Sequence, residues 1–262
     1  TANRIHHHCS TGAATFRCSH RNPNLAQVPS DPRCRELFTA SPGMVMVGAD
    51  LAGVELRMLS HFLSRYDGGR YADILLNGDI HQVNADRIKI SRSAVKTVTY
   101  AMLYGAGDEK IGTSYDKLLS PTKAKKKGKE IKEAFIAAID GFDKLLAAIK
   151  KAAERGYITA LDGRKIKVDS PHKALNFCLQ GNSAILAKRW LTIAHDNIKS
   201  LDITANQLAF IHDELQFETH QLNANDLSTS LVLSATEAGE YYNLRCRIDA
   251  EAKIGNNWSE VH

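Results

Sequence analysis

Residues 208–219 read LAFIHDELQFET, and this stretch decides how the sequence around it is interpreted. Two short runs of strand-forming apolar and aromatic residues flank the polar triplet His212-Asp213-Glu214. The pattern predicts a β-hairpin with an acidic tip. Asn-Gly or Asp-Gly would form the turn more easily, so the tip is either a solvated turn or a place where carboxylates hold a cation. A cation site requires a second carboxylate nearby and an anionic substrate for the metal to serve.

A second carboxylate follows another predicted strand. Residues 44–50, MVMVGAD, form an apolar run that ends at Asp50, and a helical pattern begins directly after it in residues 52–66, AGVELRMLSHFLSRY. Asp50 is therefore expected at a sheet edge. If the two strands are neighbours, Asp50 and Asp213 converge, and two like charges held together require a cation between them. Hard oxygen ligands at an open site favour Mg²⁺.

A helix predicted over residues 91–105, SRSAVKTVTYAMLYG, has two distinct faces. One face carries cations followed by aromatic rings at four-residue intervals, and the other is apolar. Most such helices have one solvated face and one core face. Arg and Lys also suit a triphosphate, and aromatic rings suit stacking on a base. The polar face comprises Arg92, Lys96, Tyr100 and Tyr104, and the apolar face comprises Val95, Val98 and Met102.

The bulk properties restrict the class of protein. The chain has 262 residues, a 44% hydrophobic share, 24% charged residues and a formal net charge of +5, which is typical of a soluble globular protein with an acidic partner. Basic residues are most concentrated in residues 121–132, PTKAKKKGKEIK. This segment forms either a solvated helix face or a phosphate contact. An odd number of cysteines without a CxxC pair disfavours a disulfide framework and a zinc site, and favours a reducing cytosol. No apolar run is long enough for a membrane span.

The order of predicted elements indicates an α+β fold. Strands bracket a helical stretch from about residue 66 to 155, and a hairpin turning at Asp162-Gly163 follows. A long helix over about 172–199 precedes the acidic hairpin, and a last helix leads to a strand in residues 244–255, LRCRIDAEAKIG. This order predicts an antiparallel sheet that carries the chemistry, with an inserted helical subdomain. Neither GxGxxG nor a P-loop pattern occurs, which excludes a doubly wound nucleotide-binding fold.

Three of these segments together resemble motifs A, B and C of the family A (Pol I-type) DNA polymerases, in their order and separation. They are DLAGVELR (50–57), RSAVKTVTYAMLYG (92–105) and IHDE (211–214). The resemblance is closer to the phage replicative branch than to bacterial repair enzymes. Further matching segments are TFRCSHRNPNLAQVPS (15–30), NGDIH (77–81), DGRKIKVDSPHKALNFCLQGNSA (162–184) and GNNWSEVH (255–262).

The resemblance implies a right-hand polymerase fold, with an antiparallel palm sheet and an inserted α-helical fingers subdomain. Residues 1–65 and 156–262 are expected to form the palm, and residues 66–155 the fingers, with the motif B helix over about 92–105. The family's thumb and exonuclease domains are absent from the resemblance. A natural split polymerase, a truncated chain and a degenerate chain would each account for that absence.

The resemblance also implies roles in catalysis. Asp50 and Asp213 would hold two Mg²⁺ ions, and the carbonyl of Leu51 would be a further metal ligand. Glu214 is expected as a supporting acid. In this reaction one metal lowers the pKa of the primer 3′-hydroxyl and the other stabilises the leaving pyrophosphate.

Six residues match positions that handle the incoming dNTP, and one of them is Tyr104, whose ring would stack near the insertion site. Arg92, Lys96 and His81 would bind the triphosphate, and Lys96 resembles the proposed proton donor to pyrophosphate. Tyr100 is expected at the 3′ side of the sugar, where Tyr in place of Phe is similar to polymerases that accept dideoxynucleotides. Glu55 matches the steric gate that excludes a ribose 2′-hydroxyl.

The remaining matches imply contacts with DNA. A ring at the end of the motif B helix would stack near the insertion site, and the glycine after it would allow close approach of the template. Donors to the minor groove can test pair geometry without reading sequence. The residues concerned are Tyr104 and Gly105 at the helix end, Arg17, Asn176 and Gln180 at the minor groove, and His212 near the primer terminus. Phe16 stands where the family usually has glycine, which could shift the approach of Arg17.

These matches predict template-directed DNA synthesis on a primer-template with dNTPs, in the cytoplasm of an infected host cell if the gene is phage-borne. The alternative is a non-autonomous or inactive DNA-binding subunit of a split polymerase, which needs a partner chain that carries thumb and exonuclease. A processivity factor is another candidate partner. A metal nuclease would leave the cation and aromatic face of the 91–105 helix unexplained. Glu55 and Glu214 fit DNA synthesis better than a phage RNA polymerase, and the Asp-Asp motif of reverse transcriptases is missing.

Overall fold

The computed structural model describes residues 3–262, and its strands are all paired antiparallel. The strands are β1 (His8–Ser10), β2 (Ser19–Arg21), β3 (Val45–Leu51), β4 (Tyr157–Thr159), β5 (Lys165–Lys167), β6 (Ala205–Ile211), β7 (Glu214–Thr219) and β8 (Ala250–Gly255). The helices are α1 (Pro32–Arg35), α2 (Val54–Asp67), α3 (Arg70–Asn77), α4 (Ile80–Ile88), α5 (Arg92–Leu103), α6 (Asp108–Tyr115), α7 (Pro121–Ala138), α8 (Phe142–Ala153), α9 (Ala174–Ser200) and α10 (Ala224–Tyr241).

The chain divides into two compact units. One, here called the sheet unit, comprises residues 1–54 and 181–262, and the other, the helical unit, comprises residues 55–180. The sheet unit contains a four-stranded sheet in the order β6-β7-β3-β8, together with the β1–β2 pair. The helical unit contains α3 to α8 and the β4–β5 hairpin. The predicted palm and fingers boundaries, at about residues 65 and 155, lie inside the helical unit, and that subdomain division stays a prediction.

In the sheet unit, both faces of the central strands β3 and β7 are covered by apolar residues. Val47, Leu51, Leu215 and Phe217 are fully buried, and α10 packs against β3 and β8. Alternate residues of a strand point to opposite faces, so Met46 and Gly48 lie on the other face. There a second apolar cluster forms, and its buried members are Leu25, Met46, Ile211, Trp258 and Val261.

Gly48 allows the end of the chain to lie directly on the sheet. A Cβ at this position would be 2.5 Å from the carbonyl oxygen of Val261 and 2.6 Å from Nε2 of Gln216. Both distances are far shorter than van der Waals contact, so any larger residue would displace residues 257–262 or the Gln216 side chain. The glycine therefore fixes how this last segment packs beside β7.

The helical unit confirms the two predicted faces of α5. Val95, Val98 and Met102 are buried, whereas Arg92 and Lys96 are exposed. The lysine-rich part of this unit forms two helices, because α7 ends at Ala138 and α8 begins at Phe142 after Gly141, whose φ is 77°. The predicted hairpin at Asp162-Gly163 is the β4–β5 pair.

One expectation about a single element was wrong. The last strand was expected from Leu244, but β8 begins at Ala250. Its pairing partner β3 ends at Leu51, directly opposite Ala250, so earlier residues have no strand to pair with.

Within residues 3–262, which the structure describes, the cysteines form no disulfide. In the part of the chain that the structure describes, no helix has both the length and the apolar character that a membrane crossing requires.

Candidate active site

Asp50 and Asp213 lie at the same end of two paired strands. Asp50 is directly opposite Glu214 in the β3–β7 register, and the amide of Leu51 donates to the carbonyl oxygen of Asp213 at 3.0 Å. Asp50 is exposed and Asp213 is half-buried. The β3–β7 pairing thus brings together the two carboxylates that the sequence placed at the ends of separate strands.

A third acid, Glu251, faces Asp50 from the other neighbouring strand. In the β3–β8 register Asp50 is directly opposite Glu251, and both are exposed. Like charges directly opposite each other on a sheet are destabilising, so this edge carries an electrostatic cost that a cation would relieve. Glu251 was not predicted from the sequence, because local patterns do not reveal the register of β8.

The donor set at this edge fits a hard divalent cation with an open coordination sphere. Across residues 3–262, no cluster of three or more histidine, cysteine, aspartate or glutamate side chains is arranged as a metal site. Mg²⁺ commonly binds proteins through one or two carboxylates and completes its shell with waters and substrate phosphates. Asp50, Asp213 and the backbone carbonyl of Leu51 offer that kind of incomplete, all-oxygen set.

Glu214 is held by the chain's own donors. Its Oε1 accepts from Nε2 of Gln216 at 2.6 Å and from the indole Nε1 of Trp258, and its Oε2 lies 3.2 Å from Nδ1 of His262. With both oxygens engaged and the side chain buried, Glu214 is suited to orient its neighbour Asp213. Trp258, His262 and Gln216 were not predicted from the sequence, although GNNWSEVH (255–262) resembles a segment of the family.

His212 forms the turn with an unusual backbone. Its φ is 58°, in the left-handed region that non-glycine residues rarely adopt. Burial lowers the pKa of the imidazole, and the positive charge of Arg17 and the neighbouring His20 lower it further. Arg17 and His212 therefore lie close enough to interact electrostatically within the sheet unit.

The departure before Arg17 leaves the backbone in a glycine-like shape. Phe16, which stands where the resemblance expects glycine, has a φ of 60°. Its amide donates to the carbonyl of Ala13 at 2.8 Å, and its carbonyl accepts from Nζ of Lys188 at 2.6 Å. The backbone before Arg17 thus keeps a left-handed conformation despite the bulky side chain.

In the helical unit, the cationic face of α5 begins at an ion pair. Nε of Arg92 donates to Oδ2 of Asp79 at 2.7 Å, and this bond lowers the pKa of the Asp79 carboxyl. Asp79 also caps α4 by accepting from the amides of His81 and Gln82. Lys96 is exposed one turn further along α5. The cap of α4 therefore sets the position of Arg92.

The aromatic end of α5 meets the predicted steric gate. The hydroxyl of Tyr104 donates to Oε1 of Glu55 at 3.3 Å, and Glu55 is buried although Tyr104 is 49% exposed. Burial raises the pKa of Tyr100, and the nearby Glu55 carboxylate raises it further. The rings of His81 and Tyr100 are 6.2 Å apart. Within this unit, the structure brings together four residues that the sequence assigned to the nucleotide.

His81 sits in surroundings that favour its neutral form. Burial lowers the pKa of its imidazole, the positive charges of Arg92 and Lys96 lower it further, and Asp79 acts in the opposite direction. A neutral imidazole beside two cations can accept or donate a hydrogen bond without adding charge.

The residues expected to contact the minor groove and the primer terminus are divided between the two units. Asn176 and Gln180 belong to the helical unit, and Arg17 and His212 belong to the sheet unit. Nδ2 of Asn176 donates to the carbonyl of Leu103 at 3.0 Å, which ties the start of α9 to the end of α5. Gly105 follows with a φ of 75°, and a Cβ there would lie 3.5 Å from that of Asn176.

Comparison with known proteins agrees with this arrangement of motifs. The model of DNA polymerase family A matches residues 1–260. The chain therefore belongs to DNA polymerase family A.

Its curated relatives include two phage enzymes. It is 36% identical to the DNA-directed DNA polymerase of Enterobacteria phage T3 and 34% identical to that of Escherichia phage T7. Each alignment covers 96% of this chain and 40% of the relative.

A solved structure shows the same fold. It is the POL domain of Pol1 from M. smegmatis in complex with DNA primer-template and dNTP, with a TM-score of 0.84 and 24% identity. The match covers 100% of this chain and 49% of that chain. The right-hand α+β fold with palm and fingers elements is thus confirmed, and the chain spans about half the length, or less, of the proteins it matches.

Proposed function

We propose that this chain adds deoxynucleotides to a primer 3′-hydroxyl under the direction of a template strand. The observation that carries the proposal is the β3–β7 pairing, which sets Asp50 beside the turn that bears Asp213. The phage relatives are named DNA-directed DNA polymerases, and the solved Pol1 domain was complexed with primer-template and dNTP. Both support primer-template DNA and dNTPs as substrates here.

The acidic edge of the sheet is the proposed metal-binding surface. Asp50, Asp213 and the Leu51 carbonyl would hold two Mg²⁺ ions. When bound, these ions would lower the pKa of the primer hydroxyl and neutralise charge on the leaving pyrophosphate. Glu214, fixed by Trp258 and His262, would keep the Asp213 turn in place.

The exposed face of α5 is the proposed triphosphate-binding surface. Arg92 offers a planar fork of donors and Lys96 a compact charge, so together they would neutralise phosphate oxygens. Lys96 would also give a proton to the departing pyrophosphate. The Asp79 carboxylate that now pairs with Arg92 would hold the guanidinium in position until phosphate arrives, and the neutral His81 would add a hydrogen bond.

The cluster around Glu55 is the proposed sugar-binding surface. The buried Glu55 carboxylate, held by the Tyr104 hydroxyl, would fill the space that a ribose 2′-hydroxyl needs. Tyr100 would meet the 3′ side of the sugar. These roles make the enzyme selective for deoxynucleotides and tolerant of a missing 3′-hydroxyl.

The proposed DNA contacts follow the resemblance. Arg17, Asn176 and Gln180 would donate to minor-groove acceptors that are nearly the same for all correct base pairs. His212 would lie at the primer end, and the Gly105 backbone at the template. The division into palm (1–65 and 156–262) and fingers (66–155) belongs to the same proposal.

Primer extension by the purified chain tests the proposal. We expect templated extension with Mg²⁺ and four dNTPs, and its loss in Asp50→Asn by about 1,000-fold, because several kcal/mol of transition-state stabilisation depend on the bound cations. Asp196→Asn removes the same charge from the exposed side of α9 in the same unit and should extend at the unmodified rate. Circular dichroism should show equal folding of all three proteins.

The outcomes separate the alternatives. Undiminished extension by Asp50→Asn would overturn the metal assignment. If the unmodified chain binds primer-template but does not extend it, the non-autonomous subunit of a split polymerase becomes the better description. In that case the same assay repeated with added thumb-bearing or exonuclease-bearing chains should restore extension.

The sugar-binding role of Tyr100 gives a separate prediction. Tyr100→Phe should raise discrimination against dideoxynucleotides about tenfold or more. A change of this size corresponds to the loss of one hydrogen bond. Tyr104→Phe, which removes the hydroxyl bonded to Glu55, is the matched control and should leave this ratio unchanged. Competition between dideoxy- and deoxynucleotides during extension measures both, and equal ratios in all three proteins would remove the assigned role.

A further inference from the structure

The first half of α7 carries a run of lysines that the proposed catalytic roles do not use. Residues 121–132, PTKAKKKGKEIK, contain six lysines and one glutamate, and the first turn of the helix has no acid. We call the exposed or half-buried lysines of the first turns the α7 lysine face. Its members are Lys123, Lys125, Lys126, Lys127 and Lys129.

Packing against α6 fixes which way this face points. A Cβ on Gly128 would lie 1.7 Å from the carbonyl oxygen of Asp108, and a Cβ on Gly112 would lie 1.8 Å from that of Ala124. The two helices therefore touch backbone to backbone, and Ala124, Gly128, Ile131 and Phe135 of α7 are buried. The lysines alternate with these buried positions: Lys127 is half-buried beside Tyr115 of α6, and the other four are exposed.

The charge on this face is poorly compensated. Lys127 and Lys129 have only long, exposed ion pairs, at 3.7 Å to Glu130 and 3.9 Å to Glu133. Among the described residues, Lys123, Lys125 and Lys126 have no carboxylate within ion-pair distance.

This placement works against helix stability. Cations near a helix N-terminus oppose the macrodipole, and like charges three or four residues apart repel each other. Nothing in the packing of α7 requires lysine at these exposed positions. An anionic ligand would turn this unfavourable cluster into a favourable one.

An aromatic ring borders the lysine face. Tyr115, at the end of α6, is 37% exposed, and Nζ of Lys127 lies 5.4 Å from the centre of its ring. Leu118, three residues further along the chain, is 94% exposed. A base can stack on such a ring only when it is not already paired and stacked in a duplex. Lysines along a backbone track with an aromatic ring beside them are the usual elements of a single-strand binding surface.

We infer that the α7 lysine face and Tyr115 together bind single-stranded DNA, which in the proposed reaction is the unpaired part of the template. This inference rests on the proposed function. The lysines span about 9 Å of helix, enough for roughly three successive phosphates of a stacked strand. The lysines supply charge to the phosphates, and Tyr115 supplies a surface for one base.

Equilibrium binding to primer-templates with one-nucleotide and twelve-nucleotide template overhangs tests the inference. We expect the unmodified chain to bind the long overhang about tenfold more tightly. The triple variant Lys123→Ala, Lys125→Ala, Lys126→Ala should lose that gain and keep its affinity for the short overhang. Its salt dependence on the long overhang should fall by about two, since each single-strand phosphate contact contributes about 0.7 to the slope.

The matched control is Lys144→Ala, Lys150→Ala, Lys151→Ala on α8, which removes the same charge from exposed positions in the same unit. It should keep the gain from the long overhang. Tyr115→Leu should weaken long-overhang binding about tenfold without changing the salt slope, because stacking carries no charge. If the triple alanine variant folds poorly, the same binding measurement is made with the triple variant that carries glutamine at Lys123, Lys125 and Lys126.

The outcomes are distinct from those of the proposed function. Templated extension on the short overhang together with no gain from the long one would overturn this inference and leave the proposed function standing. An equal loss on blunt duplex would assign the lysines to duplex DNA and overturn it. If the triple variant loses affinity for a fluorescent poly-glutamate peptide but not for the overhang, the face docks an acidic protein and the inference is wrong.

Discussion

The β6–β7 and β4–β5 hairpins end in turns of different construction. In the β4–β5 turn, Gly163 has a φ of 83° and the Asp162 carboxylate accepts from the amide and Nε of Arg164. These features are common in turns, where the turn residues themselves supply the required backbone conformation and hydrogen bonds. In the β6–β7 turn, His212 takes the left-handed conformation without glycine, and the acid beside it lies next to Asp50 on the neighbouring strand. The first turn is built for folding, and the second keeps a costly geometry that places a carboxylate.

The largest expected effect comes from exchanging the acid at each tip for its amide. Asp213→Asn should reduce primer extension by about 1,000-fold, because it removes one of the two carboxylates proposed as metal ligands. Asp162→Asn alters only the local pair with Arg164 and should extend at the unmodified rate. Single-nucleotide incorporation with both proteins measures the contrast. Comparable rates in the two variants would remove the distinction between the tips.

The β6–β7 tip also depends on contacts made by the residue next to Asp213. Glu214, next to Asp213, is bonded to Gln216, Trp258 and His262, and this arrangement depends on Gly48. Gly48→Ala would push a Cβ into the Val261 carbonyl, so we expect a loss of about 1 to 3 kcal/mol in the free energy of unfolding.

Gly48→Ala should also weaken catalysis. The displaced segment no longer fixes Glu214, so extension by Gly48→Ala should fall even under conditions where the protein stays folded. Gly12→Ala is the control, because a Cβ there would be 3.6 Å from Oγ of Ser10, which is ordinary contact. Urea denaturation and extension assays measure both effects, and wild-type values for Gly48→Ala would show that the last segment adapts freely.

A smaller effect should separate the two turns in stability. His212→Asn should raise the free energy of unfolding by about 0.5 to 1 kcal/mol at pH 7.5, since Asn tolerates the left-handed region better. It also removes a buried Nδ1 that has no hydrogen-bond partner among the described residues. Gly163→Ala should lower stability by about 1 kcal/mol, because its surroundings are open and only the backbone is strained.

The effects of the two changes on primer extension should not follow their effects on stability. The stabilised His212→Asn should be the poorer enzyme, and the destabilised Gly163→Ala should be unaffected. A stability loss in His212→Asn would show that the imidazole contributes more packing than the turn costs in strain.

Local patterns predicted much of this architecture from the sequence. The faces of α5 follow from the spacing of Val95, Val98 and Met102, and the positions of Asp50 at a strand end and Asp213 at a hairpin tip follow from the apolar runs beside them. These features depend on residues close together in the chain, where periodicity and turn chemistry act.

The partners of Glu214 could not be predicted in this way. Trp258 and His262 reach it from a segment that packs on the sheet only because Gly48 leaves space, and no local pattern records that contact. The start of β8 was missed for a similar reason, since it is set by the end of β3. Residues that act through tertiary contacts are therefore the part of the site that the sequence leaves open.

The smallest expected effect is a dependence of stability on pH at the β6–β7 turn. The pKa of His212 is lowered in the folded protein by burial, by the positive charge of Arg17 and by His20, while Glu214 opposes them. Between this lowered pKa and the ordinary value of about 6.5, the unfolded chain binds more protons than the folded one. Stability therefore rises with pH across that window, by at most about 1.4 kcal/mol per pH unit for one histidine.

His212→Asn should make this rise shallower without abolishing it. Burial also lowers the pKa values of His7, His20 and His81, so the remaining slope belongs to them. His220→Asn, at an exposed position before α10, is the control and should keep the full slope. Urea denaturation at pH 5.5, 6.5 and 7.5 supplies the three free energies for each protein. A slope in His212→Asn equal to that of the unmodified chain would mean that the imidazole titrates alike in both states, and the turn would then differ from β4–β5 in backbone strain alone.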